Sequence, residues 1–170
     1  MTGPGAAYSG VSSGEPRFLV DAMLGKLCRW LVILGYDAKF AGGDGRSDLE
    51  LLREAQLEGR IFVTRDRRIP DVAGLPKVVI LEDDFEGQLR QLAGELSLKP
   101  DPARRFSRCA ACNEPLEALA RAEALPLVPP LVRTLETPFW RCRSCGRLYW
   151  NGSHTDAIVA TIRRLGLSGD

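Results

Sequence analysis

RFLVDAMLGKLCRWLVILG, residues 17–35, reads as a strand joined directly to a helix. Arg17 to Asp21 is a short apolar run closed by an acid. From Met23 to Leu34 the apolar positions fall at 24, 27, 30, 31 and 34, a helical spacing, and Gly35 stands where a glycine commonly ends a helix. Downstream the alternation repeats. Ala38 to Ala41 is a second strand candidate. Beyond Gly42-Gly43-Asp44-Gly45, Ser47 and Glu50 form a capping box for a helix running to about Glu58, where Gly59 ends it. Ile61 to Thr64 and Lys77 to Leu81 read as strands three and four, and Phe85 to Leu96 as a helix. Nearly all-apolar strands alternating with helices predict an α/β fold, a parallel sheet with helices on both faces.

The flanks divide the chain. Residues 1–15 are rich in Gly, Ser, Ala and Pro and are expected to be a disordered leader. Residues 16–100 hold the α/β domain, and Pro100-Asp-Pro102 marks its boundary. Residues 101–153 form a second module, with strand-like Phe139-Trp140 and Leu148-Tyr-Trp150 around a mixed segment from Glu114 to Thr137. Residues 154–170 carry a last helix, from Thr155 to about Leu165, with Ile158, Ile162 and Leu165 on one face.

The second module is built on Cys109-x-x-Cys112 and Cys142-x-x-Cys145, with 29 residues between the pairs. Two such knuckles complete the tetrahedron that zinc prefers. Asn113 and Gly146 follow the second cysteines, and both residue types tolerate the positive φ that a knuckle needs there. Two disulfides are the competing reading, opposed by the lack of a signal peptide and by a fifth cysteine, Cys28. With all four positions filled by cysteine, the zinc is expected to be structural, as a small zinc ribbon.

Formal net charge is +1, which excludes a polycation that coats nucleic acid indiscriminately. Residues 1–100 carry 13 Lys/Arg against 15 Asp/Glu, while residues 101–153 carry 8 against 5. The second module therefore holds the basic excess, in Arg104, Arg105 and Arg108 and again in Arg141, Arg143 and Arg147. No apolar run approaches the ~20 residues that span a bilayer, so a cytoplasmic, soluble protein is expected.

In an open parallel sheet, function gathers at the carboxyl ends of the strands. Asp21, Asp66 and the pair Asp83 and Asp84 stand at such ends, and Asp48 heads the second helix. Each has a plain local explanation as a cap or turn former. Their joint placement on one rim predicts an acidic cluster that needs a divalent cation, magnesium or manganese, for its members to coexist ionised. Lys26 and Arg29, three apart on the first helix, and Arg65, beside Asp66, are candidates to hold phosphates. Phosphate-loop and nucleophile-elbow motifs are missing from the sequence, and its one histidine, His154, lies beyond the second knuckle.

The run Phe18-Leu-Val-Asp-Ala-Met-Leu-Gly-Lys-Leu-Cys-Arg-Trp-Leu-Val-Ile-Leu-Gly-Tyr-Asp37 resembles the start of the Mut-seven C-terminal RNase domain family. Asp48-Leu-Glu-Leu-Leu52, Phe62-Val-Thr-Arg-Asp66 and the closing Cys142 to His154 resemble its later elements, so the likeness covers about residues 17–165. It implies a PIN-like nuclease fold with a zinc ribbon and a metal-dependent ribonuclease activity. By residue it implies catalytic roles for Asp21, Asp48 and Asp66, with Asp83 chosen over Asp84 as the fourth acid. Relatives often place another acid soon after the T-R-D element, where this chain has Arg67-Arg68-Ile69. His154 is open between a phosphate contact and an anchor for the last helix. RNA is the implied partner, with ribosome or tRNA as candidates. The competing class is a non-catalytic RNA- or ribosome-binding zinc-ribbon protein; a toxin-like nuclease and a DNA substrate also remain open.

Overall fold

The computed structural model describes residues 14–43 and 45–168; most of the expected leader lies outside them. Four parallel strands, β1 (Arg17–Asp21), β2 (Asp37–Ala41), β3 (Ile61–Thr64) and β4 (Lys77–Val79), form a sheet in the order β2-β1-β3-β4. The helices are α1 (Gly25–Ile33), α2 (Asp48–Glu58), α3 (Phe85–Glu95), two single-turn helices α4 (Arg121–Ala124) and α5 (Pro130–Arg133), and α6 (Ser153–Arg164). Between α3 and α6 lies a second, antiparallel sheet of β5 (Leu116–Leu119), β6 (Phe139–Cys142) and β7 (Leu148–Trp150).

Strand alternation builds two cores. Phe18, Val20, Ile61 and Val63 face one way, into a cluster with Leu27 and Leu31 of α1, Leu89 and Leu92 of α3 and Ile162 of α6. Leu19 and Phe62 face the other way and pack with Leu51, Leu52 and Ala55 of α2. The expected architecture, a parallel sheet flanked by helices with a four-cysteine ribbon after it, is therefore observed. Leu165 and Leu167 join Ile162 in the first core, so the segment after the ribbon returns to the sheet.

Local signals act as their chemistry dictates. Ser47 and Glu50 close the capping box in both directions, and Gly59 ends α2 at φ 61. Gly35 has φ 98, and a Cβ there would lie 2.6 Å from the Arg104 carbonyl oxygen, so any side chain is excluded twice. β4 ends two residues short of the expected Leu81 because a side chain takes over. Gln91 Oε1 accepts from the Leu81 and Glu82 amides at 2.8 and 3.3 Å, and its Nε2 donates to Val79 O at 2.9 Å.

One buried ion pair ties the two sheets together. The Arg60 guanidinium, 5% exposed, donates to both Asp37 carboxylate oxygens at 2.7 and 3.1 Å and to the Phe18 carbonyl at 3.2 Å. From the first cysteine knuckle, Asn113 Nδ2 donates to Asp37 Oδ1 at 2.6 Å, while its Oδ1 accepts from the Ala38 amide at 3.2 Å. Burial alone would raise the Asp37 carboxyl, but hydrogen bonds from Arg60 and Asn113 hold it below its usual value. Removing Arg60 strands a half-buried carboxylate, a change that costs on the order of 3 kcal/mol. Urea unfolding of Arg60→Ala is expected to show that loss, whereas the same measurement on the exposed Arg53→Ala should stay close to wild type.

Candidate functional site

The rim formed by the carboxyl ends of β1 and β3 is where the sheet changes direction. β1 connects through α1 to β2 on one side, and β2 then connects through α2 to β3 on the other side of β1. Such a reversal leaves a crevice outside the strand ends. Asp21 ends β1, half-buried, and Thr64 ends β3, fully buried. The Thr64 hydroxyl donates to Asp21 Oδ2 at 2.7 Å and accepts from the Asp66 amide at 3.0 Å. One hydroxyl thus fixes both acids against the sheet. Sequence reasoning passed over Thr64, although its place in the T-R-D element was the available signal.

The carboxylate of Asp66 is held by Arg68, which donates from its backbone amide at 2.8 Å and from Nε and Nη2 at 3.0 and 2.7 Å. Hydrogen bonds from the Arg68 side chain and backbone bring Asp66 down to about 2. Arg68 is itself raised, first by its hydrogen bond to Asp66 and, at longer range, by the charge of Asp48. Asp48 is exposed in the first turn of α2. Asp83, 94% exposed, pairs with Arg65. Asp84 is committed to α3, whose Glu86 and Gly87 amides it caps at 3.0 Å each. Lys26 lies over the Phe85 ring at 4.5 Å, whereas Arg29 turns to the ribbon, lining the clefts beside Ala110 and Arg147. The two basic residues therefore serve different neighbours. Thr64 links the Asp21 carboxylate to the backbone of Asp66, and Asp48 acts on Arg68 through its charge without a direct contact. Asp83 is held in a pair of its own. Among the described residues no three carboxylates have oxygens all within 4.8 Å of one another.

Cysteines do meet that criterion. Cys109, Cys112, Cys142 and Cys145 have all four sulfurs within 4.8 Å of one another. Cys109 to Cys145 is 3.6 Å and Cys112 to Cys142 is 3.4 Å, too long for a disulfide. A tetrahedral zinc with ~2.3 Å bonds to sulfur needs edges of roughly 3.8 Å, so the set fits such an ion. The knuckles are matched turns. Asn113 and Gly146 take φ 67 and 74, and their amides donate to the Cys109 and Cys142 carbonyls at 2.8 and 2.9 Å. Burial would raise the Cys109 thiol, but the Tyr149 hydroxyl, 3.0 Å away, and the Ala111 and Cys112 amides bring it down to about 6. Burial and hydrogen bonds to its sister cysteines push Cys112 up to about 12. Four thiolates can share this space only around a cation. Cys28, outside the set, donates to Ala38 O, and burial pushes it up to about 12.

Two clefts flank the ribbon. One, of about 630 Å³, runs from Cys112 and Asn113 past Arg29 and Lys39 to Phe40 and Gly25. The other, of about 1150 Å³, lies between the β6–β7 face, α1 and the start of α6.

Fold and site define an α/β protein whose parallel sheet presents an acidic rim and whose ribbon offers a four-cysteine site for a metal ion such as zinc. A family model, the Mut7-C RNAse domain, matches residues 16–162, and the chain belongs to that family. Membership points to a nuclease, RNA-related function. Comparisons with curated proteins and with solved structures give no significant match.

Two measurements follow from this geometry. Protein prepared without added metal is expected to carry one equivalent per chain, with zinc identified by elemental analysis; Cys142→Ser should lose it and unfold the ribbon. The lowered Asp66 value means that the fold favours the ionised form. Its contribution is complete above the usual carboxylate value of 3.8 and is lost as pH falls toward about 2. Carboxyl NMR titration should give a midpoint near that value, moving up toward the usual range in Arg68→Ala.

Proposed function

We propose that this protein is a metal-dependent ribonuclease of PIN-like type, with its hydrolytic centre on the rim at Asp21 and Asp66. The observation that carries the reading is the junction at Thr64, where one buried hydroxyl bonds the Asp21 carboxylate at the end of β1 and the backbone amide of Asp66 just beyond β3, at the reversal point of the sheet. Asp21, Asp48 and Asp66 would hold magnesium or manganese, with Asp83 as the fourth acid. Such an ion, when bound, lowers the pKa of an attacking water and neutralises charge on the phosphodiester. The chain's own part is to orient and to exclude alternatives. Among the described residues, Asp21 Oδ1 takes no hydrogen bond, so Thr64 fixes one oxygen and leaves the other open to the crevice. Asp66 stays ionised across the neutral range.

Arg68 is the cation that lets Asp66 and Asp48 coexist, and it must yield to a metal. Its side chain is 90% exposed, so swinging outward into water costs little packing. Arg65, next to Asp66 in the chain, would contact a phosphate once released from Asp83, with Lys26 and Arg29 on α1. The ribbon's metal, zinc on this reading, serves structure and helps hold RNA. The ribosome and tRNA are candidate partners, and a cytoplasmic setting fits the free cysteines. The occupation of Asp66 by Arg68 favours one second reading, a protein that grips RNA without cutting it.

Labelled RNA incubated with and without manganese separates the two. Wild type is expected to cleave only with the ion, and Asp21→Asn or Asp66→Asn to lose about 100-fold or more in rate. Equal cleavage by all three proteins ends the nuclease assignment, and retention without turnover on any divalent ion establishes the second reading.

A further inference from the structure

We propose that the groove between the ribbon sheet, α1 and the start of α6 is a track for a single strand of RNA, leading along the neighbouring cleft to the acidic rim. This rests on the RNA reading above but not on catalysis. Trp140 and Tyr149 are direct cross-strand neighbours on β6 and β7 and share the sheet face that lines the groove. Adjacent half-buried aromatics on one face are a surface on which unpaired bases stack. Cations from three separate places line the same groove: Arg29 from α1, Arg108 before the first knuckle, its charge partly answered by Asp37, and Arg147 after the second. Arg29 and Arg147 are exposed and form no ion pair among the described residues, and Arg108 spends one nitrogen on the Asn113 carbonyl at 2.7 Å. Two acids also line the groove. Glu136 pairs with Arg121 at 3.5 Å, which leaves Asp156 as the single uncompensated one.

The groove has a direction. Its volume is about 1150 Å³. Arg29, Ala110 and Arg147 line both this groove and the 630 Å³ cleft, so the two share a rim. That second cleft ends at Phe40 and Gly25, and Phe40 pairs with Val20, the residue before Asp21. At the other end, Ser153, His154 and Thr155 present the first turn of α6, whose cap residue Gly152 provides no side-chain acceptor. The Thr155 and Asp156 amides are taken by the Gly152 carbonyl at 2.8 and 3.2 Å, which leaves those of Ser153 and His154 to favour a phosphate. A strand laid from α6 across Trp140 and Tyr149 and over Arg147 and Arg29 therefore arrives beside the rim.

The test uses the full chain in an Asp21→Asn background, without added divalent ion, and fluorescence anisotropy of a labelled 20-nucleotide oligouridylate across a salt series. Three phosphate contacts on a single strand give a slope of log K against log salt of roughly −2. Arg29→Gln and Arg147→Gln are each expected to weaken binding and to reduce that slope by about 0.7, while Arg53→Gln on α2 leaves both unchanged. Trp140→Ala should weaken binding roughly five- to 150-fold. Because Arg29 and Arg147 are exposed, their variants keep the metal and the circular dichroism spectrum even if Trp140→Ala does not. Unchanged affinity and slope in the Arg29→Gln, Arg147→Gln double variant overturns the track, as does equal binding of duplex RNA or no binding by the unsubstituted chain. Loss of binding in the groove variants with no cleavage by wild type would leave the track standing and remove the nuclease; cleavage by wild type with unaltered groove variants would do the reverse.

Discussion

The Asp37 carboxylate is the joint of the molecule. It is an edge-strand side chain with a buried guanidinium on one side and a knuckle asparagine on the other. Asn113 is there because the knuckle turn demands a residue that tolerates positive φ, and asparagine, unlike glycine, brings an amide that can reach out. Its two polar atoms satisfy an edge amide of β2 and the Asp37 carboxylate together. The geometry of the metal knuckle is thereby transmitted to the sheet, and the clefts on both sides of Arg29 inherit their shape from it.

Both chemical centres meet the same electrostatic problem with different means. At the ribbon, four sulfurs crowd within 4.8 Å, and only a strongly charged ion makes their common ionisation tolerable. At the rim the acids stand further apart, and a solvent-facing arginine answers part of their charge. The first arrangement is rigid and closed by its own backbone turns. The second is open to water and rests on one exposed side chain.

The sheet was legible because its signals are local and strong. β1 and β3 begin and end where their apolar runs do, and the capping box at Ser47 and the glycine at 59 bound α2 as read. The knuckles were equally plain, since their spacing encodes their geometry. What escaped depends on pairing across the chain. β5, through Leu116 to Leu119, carries no clear alternation and exists because β6 offers it an edge. Gln91 shortens β4 from ten residues away. The acids were read from strand ends, but which partner each would find was not in the pattern: Arg68 on Asp66 and Arg65 on Asp83 are choices of side-chain reach. Lys26 and Arg29 share a spacing but not a neighbour, because α3 lies on one side of α1 and the ribbon on the other.

The return of α6 to the first core means that the sheet does not own its core alone. Ile162, Leu165 and Leu167 complete a cluster begun by Phe18 and Leu27. The ribbon is therefore spliced between two contributors to one apolar interior, and a cut at Pro100-Asp-Pro102 would take from the sheet part of the cover that keeps water off Phe18 and Leu27.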